Sequence, residues 1–358
     1  MDKDTLLKSL AGTLDANFQV RKQSEDQLRF FEEMPGFTAY LLDLITDSSI
    51  SLGVQASAAI FFKNRISNYW VVPELKAVTP RYIQNPEKAT IKGKLIEVLS
   101  QTYKNAQLRV QLSTAISSIL DAEKWDELVT VMSGLLNDTS NVDHVYTGLI
   151  CLLEYTKNYR YAGLDTANFR NIILDEVTET TFPVLETLTT GLLGDDSQTA
   201  DEMLYLIFKI FKYATYSNFP PYLEDQEKLG KWCQFHLMLI TKPLPTAVLQ
   251  IEFTEQRVSN PRVKAVKWCF GNMHRLLLRH GGGINTKDKT TSFVNCFMTQ
   301  FVPQILNGDV VIRGFFVSFD FIFGTSDRNP GISFVGRQVG GGSETRALAH
   351  VERISRDN

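Results

Sequence analysis

The chain has 358 residues, of which 44% are hydrophobic and 22% are charged, and its formal net charge is −3. This length exceeds the usual size of a domain with a single core, so we expect two domains or one elongated array of repeats. A charge so close to neutral excludes a general electrostatic attraction to nucleic acid or to an anionic membrane. We therefore expect no direct nucleic-acid partner.

The N-terminal residues and the cysteines indicate a soluble intracellular protein. The opening MDKDTLLKSLAGTL carries acidic residues where a signal peptide has basic ones. No stretch approaches the roughly 20 apolar residues of a membrane-spanning helix, so we expect no membrane insertion. Four cysteines lie in apolar segments without a CxxC pair, and we interpret them as core residues in a reducing compartment: Cys151, Cys233, Cys269 and Cys296.

Apolar residues recur at helical spacing along most of the chain. The first predicted helices cover 5–15 and 18–34, with Asn17 as the N-cap of the second. The following ones cover 37–47, 52–70, 89–103, 107–120, 125–136, 144–161, 169–193, 197–216, 229–240, 263–280 and 292–306. Pro183 is expected to kink or split helix 169–193. Residues 242–261 show no clear period and are predicted to form a loop.

These helices alternate as about six and a half hairpins of roughly 35–60 residues, close to the period of HEAT repeats. The sequence therefore predicts an all-α fold, a right-handed α-solenoid of HEAT-like helical hairpins. From about residue 308 the composition becomes rich in glycine, aromatic and β-branched residues, as in GDVVIRGFFVSFDFIFG. We expect a non-helical or disordered C-terminal tail there. We interpret it as the product of a frameshift or a retained intron, with a genuine short isoform as the alternative.

Segment 52–70 is apolar on two sides when it is wound as a helix. One side carries Leu52, Ala56, Ala59, Ile60, Ile66 and Trp70, and the other carries Val54, Ala58, Phe61, Phe62 and Tyr69. A narrow polar strip remains, formed by Ser57, Asn64 and Asn68, with Ser67 beside it and Lys63 at its edge. This pattern predicts an inner helix that is packed on both flanks and turns its polar strip to an open concave surface.

The same segment resembles the second inner helix of the importin-β superfamily, the karyopherins. That helix has an R/Q-A-A-rich start, a central K-N and a Trp near its end, which correspond to Gln55–Ala56, Lys63–Asn64 and Trp70. VRKQSEDQLR at 20–29 resembles the first inner helix, and QLRVQLSTAISSIL at 107–120 resembles the third. The resemblance covers about residues 1–307 and is greatest to the N-terminal part of the importin-seven/importin-eight type.

The resemblance implies a nuclear import receptor that shuttles between cytoplasm and nucleus. Its partners would be the small GTPase Ran in the GTP state, the Phe-Gly repeats of nucleoporins and protein cargo. It implies Ran-binding hairpins at 1–120 and further HEAT hairpins at 121–307, with 308–358 as an atypical tail outside the native solenoid. Carried over position by position, the residues that would contact Ran are Lys22, Glu25, Asp26, Ser57, Lys63, Asn64, Asn68, Arg109 and Ser113.

Three other functions stay open: an export receptor of the same superfamily, a HEAT-repeat scaffold without Ran dependence, and a non-functional truncated product. We expect no enzyme, because no nucleophile motif or metal-ligand spacing is present, and no cofactor. The glycines at 336–342 mimic a phosphate-binding loop, but Gly342 stands where the phosphate-contacting lysine must be. The cations of the predicted helix 263–280 and of the residue before it are interpreted as a solvated edge, with a site for acidic cargo as the alternative: Arg262, Lys264, Lys267, Arg275 and Arg279.

Overall fold

A computed structural model of the chain describes residues 2–73, 79–160, 167–216, 219–252 and 254–280, without the side chains of 167–173, 254 and 277–280. These ranges all lie within one compact unit, Met1–Cys296. The predicted helix 292–306 and the tail 308–358 lie outside the described residues.

Over the described ranges the chain forms helices and turns, without a strand. The helices are α1 (Lys3–Gly12), α2 (Phe18–Phe31), α3 (Phe37–Thr46), α4 (Leu52–Tyr69), α5 (Asn85–Thr102), α6 (Ala106–Ala122), α7 (Asp126–Asn137), α8 (Val142–Asn158), α9 (Ala167–Leu193), α10 (Gln198–Ala214), α11 (Pro221–Glu224), α12 (Gln226–Thr241), α13 (Thr246–Leu249), α14 (Thr254–Ser259) and α15 (Pro261–His280).

The helices stack in two rows, which confirms the solenoid of helical hairpins. In the inner row α4 packs on α6, α6 on α8, α8 on α10 and α10 on α15. On the other side α3 packs on α5, α7 on α9 and α9 on α12. Each hairpin thus buries its apolar faces against its own partner helix and against the next hairpin, which is the packing of a repeat array.

Side-chain caps explain where several helices begin. Asn17 accepts a hydrogen bond from the backbone N–H of Gln19 at 2.8 Å, as predicted for the start of α2. Asn105 and Asn141 cap α6 and α8 in the same way. These short polar side chains satisfy N–H groups that have no partner inside their own helix.

The prediction for Pro183 was a kink or a split of the long helix, and the split is wrong. The chain remains helical through it, as α9. Pro183 and Glu179, whose carbonyl loses its usual N–H donor, both lie on the exposed side of α9, where water can hydrogen-bond that carbonyl. The predicted loop 242–261 is also partly wrong, because it contains the short helices α13 and α14.

The prediction that the cations from Arg262 onward form one solvated edge or cargo site is wrong for Arg262. Arg262 is fully buried. Its guanidinium pairs with Asp201 on α10 and, at 3.0 Å, with Asp196. Arg275 is half-buried and donates to the carbonyl of Lys212 at 2.8 Å. These two arginines tie α15 to α10, because a buried guanidinium requires charged or carbonyl acceptors.

No helix in the described part of the chain is both long enough and apolar enough to cross a membrane.

Candidate partner-binding face

The helix α2 presents the first three predicted contact residues to solvent. Lys22, Glu25 and Asp26 are all exposed, because α2 buries only Leu28 and Phe31 along its length. Gln19, Gln23 and Gln27 join Lys22 and Asp26 in lining an open polar depression on this helix. The face of α2 therefore offers both charges and amides for hydrogen bonds with a partner.

The first hairpin contacts α4 through a helix other than the one predicted from the sequence, which was α2, the first inner helix. The helix α2 packs mainly on α1, and it is α1 that packs on α4. Ser57 of α4 lies in this contact: its hydroxyl donates to the carbonyl of Leu10 at 3.0 Å and lies 2.8 Å from the Thr13 hydroxyl. Ser57 is only 6% exposed. Its predicted place on the exposed polar strip is therefore wrong, because it serves the packing of α1 on α4.

The rest of the strip on α4 is available to a partner. Asn64 and Asn68 are exposed and Lys63 is partly exposed. Within the described ranges neither asparagine side chain has a hydrogen-bond partner. Ser67, beside them, lies 3.0 Å from Ser118 of α6, hydroxyl to hydroxyl. Two unengaged amides one helical turn apart can each donate and accept hydrogen bonds.

On α4 itself, the two apolar sides are only partly covered. Ala58, Ala59, Phe62 and Ile66 are buried, as expected of an inner helix. Leu52 and Ile60, which were assigned to one packed side, are exposed. The apolar contact of α4 is therefore narrower than the sequence pattern predicts, and the exposed side of the helix is wider than the polar strip alone.

Arg109 on α6 is largely engaged within the protein. Its guanidinium donates to the carbonyl of Tyr103 at 3.0 Å, lies 3.8 Å from the carboxylate of Glu202 and sits over the ring of Tyr146. The Tyr146 hydroxyl also donates to Glu202, at 2.8 Å, and burial, with this carboxylate, raises the pKa of Tyr146. Arg109 thus links α6, α8 and α10. It can offer a partner only the remaining part of its guanidinium.

Ser113, the other predicted contact on α6, is partly exposed. Its hydroxyl donates to the carbonyl of Val110 at 3.3 Å, within its own helix. The oxygen lone pairs of a serine hydroxyl stay free to accept when its proton is engaged in this way. Ser113 can therefore accept a hydrogen bond from a partner but would donate one only after rotating.

Sequence reasoning missed a buried arginine next to the strip. Arg65 is 3% exposed, and its guanidinium donates to the carbonyl of Arg81 at 2.6 Å and to the carbonyl of Glu32 at 3.4 Å. It also lies over the ring of Tyr69 and 3.9 Å from the Glu32 carboxylate. The available signal was its position on α4 between the apolar residues Val54 and Ala58 at 100° per residue, since a cation on a packed side needs buried acceptors.

Burial dominates the electrostatics of this arginine and its partner. It raises the pKa of Glu32, although Arg65 and Arg81 act in the opposite direction. It also lowers the pKa of Arg65, although Glu32 opposes that shift. Loss of water around both groups therefore outweighs their mutual attraction, as is usual for buried ion pairs at imperfect distance. The bonds to carbonyls, rather than the pair itself, hold the end of α2 and the segment after α4 against α4.

A second missed residue, Glu87 of α5, caps another helix. Its carboxylate accepts hydrogen bonds from the backbone N–H groups of Thr38 at 2.7 Å, Ala39 at 3.1 Å and Gly36 at 3.3 Å. Gly36 has φ = 76°, a left-handed conformation that favours glycine. Because Gly36 has no side chain to cap α3, the carboxylate from the next hairpin takes that role.

Comparison with known proteins shows what this chain is similar to. Residues 24–101 match the model of the importin-beta N-terminal domain. "Nonsense-mediated mRNA decay protein 5" of Saccharomyces cerevisiae is 29% identical over 320 residues, covering 86% of this chain and 30% of that protein. Importin-8 of Homo sapiens is 22% identical over 311 residues, covering 85% and 29%. The chain thus spans about 30% of the length of these relatives.

Solved structures agree on the fold. The structure described as the exportin Cse1 in its cargo-free, cytoplasmic state matches with a TM-score of 0.60 and 18% identity, covering 89% of this chain and 36% of that one. Lph2, described as a bidirectional nuclear transport receptor of S. cerevisiae, matches with a TM-score of 0.54 and 17% identity, covering 89% and 34%. The chain is thus similar over residues 24–101 to the importin-beta N-terminal domain, and its row of stacked hairpins has the fold of these two solved transport receptors.

Proposed function

We propose that the chain is part of a nuclear transport receptor that binds Ran in its GTP state through the exposed residues of α2, α4 and α6. The observation that carries this proposal is the pair of unengaged amides, Asn64 and Asn68, on the exposed side of α4. The match of residues 24–101 to the importin-beta N-terminal domain supports the transport function, as does the similarity to the relative named importin-8.

The proposed mechanism requires that the exposed side of α4 is a rigid surface. Side chains held on a packed helix can form hydrogen bonds only with a surface that presents matching groups in fixed positions. A GTPase orders its switch loops around the γ-phosphate and releases them after hydrolysis. Asn64, Asn68 and Lys63 would therefore bind the ordered GTP state well and the GDP state poorly, because ordering the loops on binding costs free energy.

We further propose that the outer helices meet the Phe-Gly repeats of nucleoporins and that protein cargo binds the receptor as it shuttles between cytoplasm and nucleus. The direction of transport is a separate question. One relative is named "Importin alpha re-exporter" and is 27% identical over 252 residues, covering 68% of this chain and 25% of that protein. Import remains our proposal because the motifs of the inner helices resemble the importin-seven/importin-eight type and one relative is named importin-8.

The test is binding of the full chain to Ran loaded with a non-hydrolysable GTP analogue, compared with Ran-GDP. We expect a clear preference for the GTP form, and Lys63→Ala with Asn64→Ala to weaken it about ten-fold, the effect of losing roughly 1.4 kcal/mol. The matched control, Lys94→Ala with Gln101→Ala, also removes one cation and one amide, but from α5. Equal affinity for both nucleotide states would refute the proposal and favour a scaffold.

Direction is decided by a cargo assay with and without Ran in the GTP state. Release of a bound cargo on addition of Ran would support import. Joint binding of cargo and Ran would contradict import and favour an export receptor. The two outcomes correspond to opposite signs of the coupling free energy between Ran binding and cargo binding, and this coupling acts equally in both directions.

A further inference from the structure

The helix α10 carries a stripe of aromatic and basic residues. Tyr205, Lys209, Lys212 and Tyr213 follow at helical spacing and are all partly exposed. The Lys209 ammonium lies 5.4 Å from the ring centre of Tyr205, and the Lys212 ammonium lies 4.2 Å from the ring centre of Trp268 on α15. The stripe therefore continues from α10 onto the neighbouring inner helix.

Further cations adjoin this stripe from two other elements. The guanidinium of Arg160, just after α8, lies 4.9 Å from the ring centre of Tyr213. Lys264 is exposed on α15, one turn before Trp268. The pKa of Lys212 is lowered first by burial and then by Arg275, Arg160 and Lys209. The charged groups that shift its pKa are thus all positive.

Carboxylates are scarce on the two helices that carry this stripe. The helix α15 contains no Asp or Glu, and α10 contains none after Glu202. Within the described ranges Lys209 and Lys212 form no salt bridge. Other lysines of this region do: Lys157 pairs with Glu154 and Lys231 with Glu186, each at 2.8 Å. Positive charge at the stripe is therefore left without an internal counter-charge.

We propose that this basic patch, formed by Arg160, Lys209, Lys212 and Lys264 with Tyr213 and Trp268, binds an acidic polypeptide segment of a partner protein. The patch lies on helices other than those proposed to bind Ran, so its function does not depend on that proposal. Carboxylates spaced along a peptide would supply the counter-charges that Lys209 and Lys212 lack within the described ranges, and bonds between ammonium and carboxylate are the stronger class of hydrogen bond.

The aromatic residues favour a peptide over a nucleic acid. Single-stranded nucleic acid binds proteins by stacking its bases on open aromatic faces along a basic groove. Here the rings of Tyr213 and Trp268 have cations over them, at 4.9 Å for Arg160 and 4.2 Å for Lys212. The rings hold the cations in place and offer less room for bases, so the patch presents fixed positive charges.

The experiment measures fluorescence anisotropy of a short labelled peptide of alternating glutamate and serine with the full chain. A peptide with glutamine in place of glutamate is the probe control. We expect the acidic peptide to bind, the glutamine peptide not to bind, and added salt to weaken binding. Lys209→Gln with Lys212→Gln should weaken binding about ten-fold or more, since each tenfold requires only 1.4 kcal/mol.

The matched control is Lys8→Gln with Lys104→Gln, which lowers the net charge by the same amount on exposed residues outside the patch. Thermal unfolding of both double variants shows whether they fold as the parent does. Equal binding by both double variants, or equal binding of the two peptides, would overturn the proposal. If single-stranded oligothymidylate bound as tightly as the acidic peptide, and lost affinity in Lys209→Gln with Lys212→Gln, the proposal would be overturned in favour of a nucleic-acid site.

Discussion

The cap that Glu87 places on α3 predicts a sharp loss of stability from a single substitution, Glu87→Ala. The carboxylate is bonded to the N–H groups of Thr38 and Ala39 at 2.7 and 3.1 Å, and these residues are 0% and 7% exposed. Without Glu87 these donors have no acceptor and little access to water. Loss of an N-cap costs about 0.5–2 kcal/mol, and each buried donor left unpaired costs about 1–3 kcal/mol.

We therefore expect Glu87→Ala to lower the free energy of unfolding by about 2–3 kcal/mol, since these two costs overlap. Glu87→Gln keeps one acceptor oxygen but loses the charge at the N-terminus of α3, and should cost about 1 kcal/mol. The control is Glu97→Ala on the same helix, where the carboxylate is exposed and bonded only to Gln101. That change should stay within about 0.5 kcal/mol.

The assay is urea unfolding followed by circular dichroism, together with amide hydrogen exchange at the start of α3. Repeats contact only their neighbours, so the destabilisation should be concentrated in the hairpins joined by the cap. Faster exchange of the Thr38 and Ala39 amides is therefore the specific signature. Glu87→Ala with the same midpoint as Glu97→Ala, and with unchanged exchange at these two amides, would refute the reasoning.

Three further substitutions test the packing. Gly148→Ala should lower the free energy of unfolding by about 1–3 kcal/mol, because its Cβ would lie 2.9 Å from a side chain of α7. In the control, Gly134→Ala, the Cβ meets nothing within 4 Å, so the change should raise the free energy of unfolding by about 0.5–1 kcal/mol. Equal effects of the two changes in urea unfolding would contradict this reasoning. Arg65→Met should cost about 3–5 kcal/mol, because Glu32 would keep only Arg81, 3.7 Å away, as a counter-charge and the carbonyls of Glu32 and Arg81 would lose their donor. Glu32→Leu added to it should recover part of that free energy, and no recovery would argue against the pair. Burial lowers the pKa of His236 to about 4, so the unfolded state binds the proton first and stability should fall by about 3 kcal/mol as pH drops from about 6.5 to 4. His236→Gln should remove that pH dependence, and an unchanged slope in urea midpoints against pH would show that another group is responsible.

Most helices could be predicted from the sequence because their signals are local. Asn17 caps α2 as its position before an amphipathic segment predicts, and the apolar period gives each inner helix to within a few residues. Pro183 shows the limit of such signals. A proline inside a helix costs less when the carbonyl that it leaves unpaired faces water, and only the packing of α9 reveals which side is exposed.

The candidate site was harder to predict because burial on an inner helix depends on which neighbour covers each side. Asn64 and Asn68 are exposed as the helical pattern predicts, whereas Ser57, on the same strip, is covered by α1. Arg262 illustrates the same difficulty with charge. Its acceptors, Asp196 and Asp201, come from an earlier hairpin. The local charge pattern therefore predicted an exposed side chain, whereas Arg262 is buried.

The buried guanidinium of Arg65 explains how two helices with little direct contact can act as one surface. The helix α2 packs mainly on α1, so the exposed charges of α2 have no direct support from α4. At the end of α2, however, the Glu32 carbonyl accepts from Arg65, which follows the strip residue Asn64 on α4. A partner that contacts both helices would meet groups whose spacing is held by this bond and by the bond from Arg65 to the Arg81 carbonyl. The rigidity on which the proposed discrimination between GTP and GDP states depends would therefore come from a residue that the partner does not touch.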